Sequence, residues 1–515
     1  MAQQRQLFKV SCFLVLCVSL CLQGAYGADK ELLDILLQNR VITPEQYDRL
    51  IGKESLTTQD ILSPAEPAVQ EEAIIAEASI DVAAVPVDGA EVPVDGAEVP
   101  LDVELVSLDE GMQLAINDAV AKAVSAESPI KASYGSNGFR FETRDGKFAT
   151  NLQWRAQFRY SNPFGGDPRQ LSAFVGEKTS SFEQRRLRMK IGGHGFQPWI
   201  KYYFEVDLQP ARDVDADAIS SGARVIDWRV DLAKWDWGGI RMGQWKVDLN
   251  RERVDSSGRQ QFVERSIVNR VFTVDRQVGI QLRGRLFEGT LADLNYYAGA
   301  FNGEGRSVRN SSQDLLYMGR LQWNFLGREL AWRQTDVEFT ERPTGSFAVA
   351  GFSNVGPCTR WSSSGCGNLD GFQRPAFAEP DQYKIEQGVQ EFAFKYQGFS
   401  FQQEWHRKFI TDRVEGTQND MTGAYVQAGY FFHNWIDAIP APLELAARYA
   451  YVEEPNRSDR TFYNEREEFT VGANWFFKGH SNKLTLDISH LTLDDGFLND
   501  SSSEKRVRLQ WDVSF

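Results

Sequence analysis

From Lys147 to its last residue, the chain alternates apolar and polar residues with a period of two. In the last stretch the apolar residues are Val507, Leu509, Trp511, Val513 and Phe515. The residues between them are Arg508, Gln510, Asp512 and Ser514. Successive side chains of a β-strand point to opposite faces, so each such strand has one apolar and one polar face. The pattern predicts an all-β fold whose two sheet surfaces meet different solvents.

Sixteen stretches of this kind can be placed along the chain. They start near Lys147, Phe182, Pro198, Ala223, Gly238, Asp275, Gly289, Gln313, Glu329, Glu386, Ser400, Asp420, Pro442, Asn464, Asn482 and Ser503. Long and short connections alternate between them, as do the outer loops and periplasmic turns of membrane barrels. We therefore predict a 16-stranded antiparallel transmembrane β-barrel, which is wide enough to enclose an aqueous channel.

The first 27 residues have the layout of a secretory signal peptide. Arg5 and Lys9 precede a short apolar run, and Ala25-Tyr26-Gly27 forms a small-residue cleavage site. No later segment has the roughly 20 consecutive apolar residues that a membrane-spanning helix needs. An exported chain with this strand pattern is expected in the outer membrane of a Gram-negative-type bacterium, with its N-terminal segment in the periplasm.

Acidic residues are concentrated before the barrel. The whole chain has a net charge of -15 and a pI near 5.0, which argues against a nucleic-acid partner. Residues 28–137 contribute 6 Lys and Arg against 22 Asp and Glu. We predict a signal peptide (1–27), a helical hairpin (28–52), an acidic spacer with a V-P-V-D-G-A-E repeat (53–108), a helix and linker (109–137), and the barrel (138–515).

The polar strand faces predict the lining of the lumen. Candidate inward cations are Arg155, Arg159, Arg186, Arg188, Lys190, Lys201, Arg229, Arg283, Arg285, Arg320, Arg506 and Arg508. Candidate inward acids are Glu205, Asp207, Asp227, Asp231, Asp487 and Asp512. Several cations stand two apart on one strand, which is a basis for anion selectivity. The alternative is that these charges neutralise one another across the wall.

Two long connections carry further candidate residues. The loop from Val247 to Val274 is dense in charge and includes Arg251, Arg253, Arg259 and Arg265. It either projects into solvent or folds into the lumen, where it would act as a filter, because so charged a loop cannot lie in lipid. The loop from Arg342 to Ile385 contains Cys358 and Cys366, the candidate disulfide, which would staple a surface excursion.

Catalytic and metal-binding motifs are missing from the sequence. It has no G-x-S-x-G, H-E-x-x-H, C-x-x-C or phosphate-loop motif, and its five His residues are scattered. Two Cys residues without nearby His cannot complete a zinc site. We expect neither an enzyme nor a bound cofactor or metal.

Four segments in and around the barrel strands have a distinctive sequence: Gly243-Gln244-Trp245-Lys246, Glu264-Arg265-Ser266, the stretch from Asp275 to Leu282, and the stretch from Tyr297 to Gly303. Together they resemble the phosphate-selective porin O and P family. The resemblance implies a sixteen-stranded, usually trimeric barrel whose third outer loop folds inward and whose Arg and Lys residues pass anions. Lys246 and Arg265 match the family's Lys and Arg positions. Where the family usually has Pro-Phe after this lysine, Val247-Asp248 places an acid instead.

We therefore expect a porin for passive diffusion of small solutes, with a phosphate preference implied by the resemblance. The anion-binding candidates are Arg155, Arg159, Arg186, Arg188, Lys190, Lys246, Arg251, Arg253, Arg259, Arg265, Arg283, Arg285 and Arg508. The expected partners are outer-membrane lipid, the solutes and two further copies of the chain. The alternative function is a structural anchor whose N-terminal helices tether the cell wall or a periplasmic partner.

Overall fold

The computed structural model describes residues 129–163, 179–208, 223–362, 365–457 and 459–515. The predicted signal peptide, helical hairpin, acidic spacer and the helix that follows it lie outside these residues. Each described helix is too short or too polar to span a membrane.

The described residues form twenty strands and two short α-helices. The strands are β1 (Ile130–Gly135), β2 (Gly138–Thr143), β3 (Ala149–Asn162), β4 (Ser181–Gly195), β5 (Gln197–Asp207), β6 (Arg224–Trp235), β7 (Gly238–Lys246), β8 (Arg276–Leu286), β9 (Leu294–Phe301), β10 (Leu316–Trp323), β11 (Thr344–Gly356), β12 (Arg360–Ser362), β13 (Gly365–Gly367), β14 (Tyr383–Tyr396), β15 (Phe399–Asp412), β16 (Thr417–Tyr430), β17 (Leu443–Pro455), β18 (Tyr463–Lys478), β19 (Asn482–Asp495) and β20 (Asp500–Ser514). The helices are α1 (Arg251–Val254) and α2 (Ile267–Phe272), and a 3-10 turn covers Phe432–Asn434.

Sixteen strands, β3–β11 and β14–β20, close into one antiparallel barrel. The last strand pairs with the first, with Leu509 opposite Tyr160. At the closing end, the backbone amide of Phe515 donates to the Trp154 carbonyl over 3.0 Å, and the Trp154 amide donates to the Phe515 carbonyl over 2.7 Å. The closure confirms the predicted 16-stranded barrel and leaves no sheet edge within the membrane.

The alternating pattern sorts the side chains between lipid and lumen. Exposed apolar residues face outward on every side of the barrel, among them Phe158, Phe204, Trp228, Ile280, Leu321, Trp405, Phe469 and Leu509. Inward-facing residues at the intervening positions are polar and buried, among them Gln157, Asp227, Gln281, Arg320, Glu391, Glu404, Thr470 and Asp487. Polar side chains are buried inside the barrel because connecting segments of the chain, described below, fold into its interior and cover them.

Two small hairpins stand outside the barrel ladder. Strands β1 and β2 pair with each other, and β2 also pairs with the start of β3. This hairpin was not predicted. Strands β12 and β13 form the second hairpin, within the long connection from β11 to β14.

The ninth barrel strand is not where the alternation placed it. The pattern near Glu329 predicts a strand there, but β11 begins at Thr344. Residues 324–343 form instead a long connection, which we call the inner turn because it lies at the barrel end that carries Phe515. Its apolar residues fit a strand pattern but pack inside the lumen, where Leu330 is buried.

The predicted alternation of long and short connections also fails in the second half of the barrel. The outer connections at 413–416, 456–462 and 496–499 are short, whereas the inner connections at 324–343 and 431–442 are long. Loops tolerate insertions and deletions, so the length of a connection can vary without affecting the strand pairing that closes the barrel.

Candidate functional site

The loop from Val247 to Val274, which we call the lumenal loop, folds into the barrel. Its Ser257 hydroxyl accepts a hydrogen bond from the Arg155 guanidinium of β3 over 2.6 Å. Its Val263 amide donates to the Asp487 carboxylate of β19 over 2.9 Å, and its Arg251 amide donates to the Glu391 carboxylate of β14 over 2.9 Å. A loop that projected outward could not reach strands so far apart around the barrel, so the lumenal alternative is the one observed.

Carboxylates on one wall hold the backbone of this loop. Besides Asp487 and Glu391, the Glu404 carboxylate accepts the Glu252 amide over 2.6 Å, and the Glu468 carboxylate accepts the Ile267 amide over 3.0 Å. We call Glu391, Glu404, Glu468 and Asp487 the wall carboxylates. Hydrogen bonds to ionised acceptors are stronger than neutral ones. The acids of this wall therefore position the loop rather than line an open passage.

Helix α2 provides the apolar contact of the lumenal loop. Val268, Val271 and Phe272 are fully buried. The Phe272 ring stacks on His406 of β15 with centroids 5.3 Å apart. A Cβ added at Gly423 of β16 would lie 2.3 Å from the same ring. Glycine at this position therefore makes the space into which the helix packs.

The connection Pro357–Gln382 covers α2 from the outer end of the barrel. Cys358 and Cys366 are bridged, with their Cα atoms 5.6 Å apart. The buried Trp361 indole donates to the Gly303 carbonyl over 2.7 Å. The Lys408 ammonium donates to the Val271 carbonyl of α2 over 3.1 Å and also to the Thr359 carbonyl. The prediction of a surface excursion was wrong, because this connection carries apolar residues that pack into the barrel mouth.

The inner turn reaches the same loop from the opposite end. Its Ala331 carbonyl accepts a hydrogen bond from the Arg251 guanidinium over 2.7 Å. The Trp332 ring lies against two guanidinium groups, 5.3 Å from that of Arg251 and 4.6 Å from that of Arg320. The lumenal loop is thus enclosed from both ends of the barrel.

The candidate cations separate into two groups. Ion pairs with carboxylates within the described part of the chain involve Arg159, Arg186, Arg188, Arg253, Arg283, Arg285 and Arg508. No carboxylate of the described residues forms an ion pair with Arg155, Lys190, Lys246, Arg251, Arg259 or Arg265. Mutual neutralisation, the alternative considered above, therefore applies to the first group.

The members of the second group differ in exposure. Arg251 and Arg155 are buried, the first beneath Trp332 and the second beneath Ser256 and Ser257. The remaining four are partly exposed, and we call them the cationic cluster: Lys190, Lys246, Arg259 and Arg265. These four are the unpaired candidates that a solute in the lumen can reach.

Two members of the cationic cluster meet at one peptide group. The Lys246 ammonium donates to the Asp255 carbonyl over 3.0 Å, and the Arg265 guanidinium donates to the same oxygen over 2.7 Å. The Asp255 carboxylate is directed elsewhere, since it accepts the Ser256 amide over 2.7 Å and the Gln334 amide over 3.2 Å. A carbonyl dipole balances a cation only in part, so positive potential remains at this point.

Burial changes the titration of the loop. It raises the pKa of Glu252 to about 7, against the effect of the Arg448 guanidinium 3.9 Å away. Burial, followed by repulsion from Arg253, lowers the pKa of Arg265 to about 10. Arg265 therefore remains charged near neutral pH.

Asp248, the acid at which the sequence departs from the family motif, does not pair with Lys246. The Asp248 carboxylate lies 3.5 Å from the Arg241 guanidinium and 3.3 Å from that of Arg283. Its charge is balanced by the wall behind the loop. Lys246 is therefore not neutralised by the neighbouring Asp248.

A closed 16-stranded membrane barrel with an inward-folded loop is the architecture of an outer-membrane porin. The sequence model of the family "Phosphate-selective porin O and P" matches residues 158–513, and the chain belongs to this family. It is therefore a channel protein of the outer membrane. No curated protein sequence matches the chain significantly.

Solved porin structures are similar to the chain at low sequence identity. An anion-selective porin from Comamonas acidovorans is 10% identical, with 71% of this chain and 99% of that chain covered at a TM-score of 0.45. OmpF of Salmonella typhi, solved in complex with daunomycin, is 11% identical, with 73% and 100% covered at a TM-score of 0.47. The channel DcaP of Acinetobacter baumannii is 11% identical, with 71% and 97% covered at a TM-score of 0.44.

Several residues that shape the site were missed in the sequence. Glu404 and Glu468 lie at inward-facing positions of strands that alternate strongly, so the period-two pattern could have predicted that both side chains point into the lumen. Trp332 and Gln334 of the inner turn carried no such signal, since their stretch resembles a strand.

Proposed function

We propose that this porin passes small anions, phosphate among them, along the cationic cluster. The supporting observation is that Lys190, Lys246, Arg259 and Arg265 are partly exposed and form no ion pair with the described residues. The wall carboxylates are meanwhile occupied by the backbone of the lumenal loop. Unbalanced cations in a narrow pore attract anions and repel cations.

Single-channel current tests this proposal. The mature chain from Ala28 is refolded into a planar bilayer under a potassium chloride gradient, and phosphate is then added. Anion preference gives a reversal potential on the chloride side, and phosphate binding gives a reduced chloride current. A reversal potential on the potassium side would contradict anion preference but would still agree with a porin. Absence of current steps from correctly folded protein would contradict an open channel. It would favour the alternative function, a structural anchor whose N-terminal helices tether the cell wall or a periplasmic partner.

We also propose that the chain forms a homotrimer. We further propose that the inner turn, the start of β3 and the end of β20 lie at the periplasmic side of the membrane. The start of β3 and the end of β20 lie at the same end of the barrel, where Trp154 and Phe515 are hydrogen-bonded. Short connections predominate at the periplasmic end of bacterial barrels. Crosslinking of native membranes and protease accessibility of an epitope in the inner turn test the two parts separately. A monomeric crosslinking pattern would contradict the trimer, and cleavage of the epitope from outside the cell would contradict the orientation.

A further inference from the structure

An open cavity of about 520 Å³ lies at the inner-turn end of the barrel. Three segments build it: the inner turn, the Gln397–Gly398 turn between β14 and β15, and the end of β16 with the connection that follows. Its lining residues are Phe339, Glu341, Gln397, Tyr430, Asn434 and Trp435. They combine three aromatic rings, two side-chain amides and one carboxylate. None of the six belongs to the cationic cluster, so the cavity is separate from the proposed path of anions.

Packing and hydrogen bonds fix the inner-turn side of this cavity. The Phe339 ring lies 5.0 Å from that of Phe431, measured between centroids. Gly398 allows the ring to approach the turn between β14 and β15, since a Cβ added at this glycine would lie 2.8 Å from it. The Gln397 backbone amide donates to the Thr340 carbonyl over 2.9 Å, which joins the same turn to the inner turn. The cavity is therefore formed by the fold before any ligand binds.

Tyr430 and Trp435 connect the cavity with the lipid-facing surface. Tyr430 has the same parity as the exposed Val426 of β16, so its side chain points away from the lumen. Its ring lies 5.0 Å from that of Trp435 between centroids. Trp435 is 76% exposed, and Ile436 beside it is exposed as well. Aromatic residues at the strand ends of a membrane barrel lie at the level of the lipid headgroups, so the cavity opens at that level.

Glu341 gives the cavity its charge. The residue is exposed, and its carboxylate forms no ion pair with the described residues. The side-chain oxygens of Gln397 and Asn434 also line the cavity and are hydrogen-bond acceptors. Aromatic faces attract organic cations, and a carboxylate at the same place strengthens the attraction. The lining is therefore complementary to an ammonium group, whereas the carboxylate repels an anion.

We propose that this cavity binds the ammonium headgroup of a phospholipid, such as phosphatidylethanolamine, in the leaflet at the inner-turn end. Glu341 accepts hydrogen bonds from the ammonium group, and the rings of Tyr430 and Trp435 contact it. The acyl chains follow the outward apolar face of β16. A lipid is favoured over a soluble cation because the cavity is continuous with the lipid-facing surface and has the exposed Ile436 at its edge. The site goes beyond anion passage and does not depend on the ion selectivity of the lumen.

Native mass spectrometry of the mature chain from Ala28, refolded in detergent, tests the site with two short-chain lipids. Dioctanoyl phosphatidylethanolamine carries the ammonium group, and dioctanoyl phosphatidylglycerol has the same acyl chains and phosphodiester without it. The variants are Glu341→Gln and Trp435→Ala. The matched controls are Asp437→Asn and Trp237→Ala, which remove an exposed acid and an exposed tryptophan at the same end of the barrel but outside the cavity. Heat-modifiable electrophoretic mobility verifies that each variant folds.

For the wild type we expect the ethanolamine lipid to bind about tenfold more tightly than the glycerol lipid. Glu341→Gln abolishes this preference, because a neutral amide does not attract the ammonium group. Trp435→Ala reduces the preference, because Tyr430 still provides one ring, and Trp435→Phe restores it in part, because a phenyl face attracts cations less than an indole face does. Both control variants keep the preference of the wild type.

Several results would overturn the proposal. Equal binding of the two lipids by the wild type, or equal effects of Glu341→Gln and Asp437→Asn, would show that the cavity does not recognise the ammonium group. Soluble glycerophosphoethanolamine bound as tightly as the lipid would show that the occupant is not a membrane lipid. A changed oligomeric state of Trp435→Ala would show that a second copy of the chain covers the cavity. Single-channel selectivity is measured separately, so the anion channel stands or falls independently of these results.

Discussion

The two walls of this lumen carry charges of both signs but use them differently. On the wall formed by β14–β19, carboxylates such as Glu404 and Glu468 accept backbone amides of the lumenal loop. On the wall formed by β3–β8, Arg188 and Arg283 pair with acids, whereas Lys190 and Lys246 do not. A count of cations and acids would treat these charges alike. The comparison shows that the potential met by a solute depends on which charges the protein itself has already engaged.

Removing a wall carboxylate should have the largest effect. Glu404→Ala leaves the Glu252 amide, the Asn250 side-chain amide and His406 without their buried acceptor. Each unsatisfied buried donor costs about 1–3 kcal/mol, so we expect a marked loss of thermal stability and a larger, noisier single-channel conductance. The control is Glu386→Ala, whose carboxylate is exposed on the outer face and pairs with Lys384. Equal effects of the two changes would refute the positioning role of this wall.

Removing one member of the cationic cluster should have a smaller effect on stability and a clear effect on selectivity. For Lys246→Gln we expect the chloride-to-potassium permeability ratio to fall by several-fold, because an unbalanced charge is lost. The matched control is the double variant Arg285→Gln/Asp293→Asn, which removes a salt-bridged pair without changing net charge. Reversal potentials in a potassium chloride gradient measure both. If the control shifted selectivity as much as Lys246→Gln, the distinction between paired and unpaired cations would fail.

The disulfide should affect the outer end of the lumen more than its selectivity. Cys358 and Cys366 are eight residues apart, and a loop of this length contributes roughly 2–3 kcal/mol in a chain-entropy model. We expect Cys358→Ser/Cys366→Ser to lower the midpoint of thermal unfolding and to increase current noise. The reversal potential should stay unchanged, because Lys246 and Arg265 are held by Asp255 and not by this connection. A shifted reversal potential would show that the disulfide hairpin helps to set the filter.

Deletion of residues 28–128 should have the smallest effect on the channel. The deletion ends before β1, because the hairpin of β1 and β2 pairs with the barrel strand β3. Since the barrel closes through β3 and β20, we expect conductance and selectivity to match the full mature chain. Retention of the protein on purified cell wall is measured in parallel. Loss of current after the deletion would argue for a channel role of the N-terminal segment, and loss of retention alone would support the tether.

Much of the barrel could be predicted because its signal is local. Alternation in β20 and the terminal Phe515 identified the last strand, and fifteen of the predicted strand starts fall near observed ones. The stretch near Glu329 was misread because period two also occurs in an irregular segment whose apolar residues pack inward. The alternation does not contain the information that separates these two cases.

The sequence by itself determined that the barrel has sixteen strands, the outward face of the fifteen that it placed correctly and the presence of a charged lumen, since each follows from neighbours two residues apart. Tertiary structure alone decided that the lumenal loop folds inward and that Lys246 remains unpaired while Arg508 does not. Those outcomes depend on contacts such as Glu404 with Asn250, which are 154 residues apart, and Arg155 with Ser257, which are 102 apart. A charged side chain has a structural role when a residue distant in the sequence contacts it, and it is left to bind a solute when none does. Closure of the barrel brings these distant residues together.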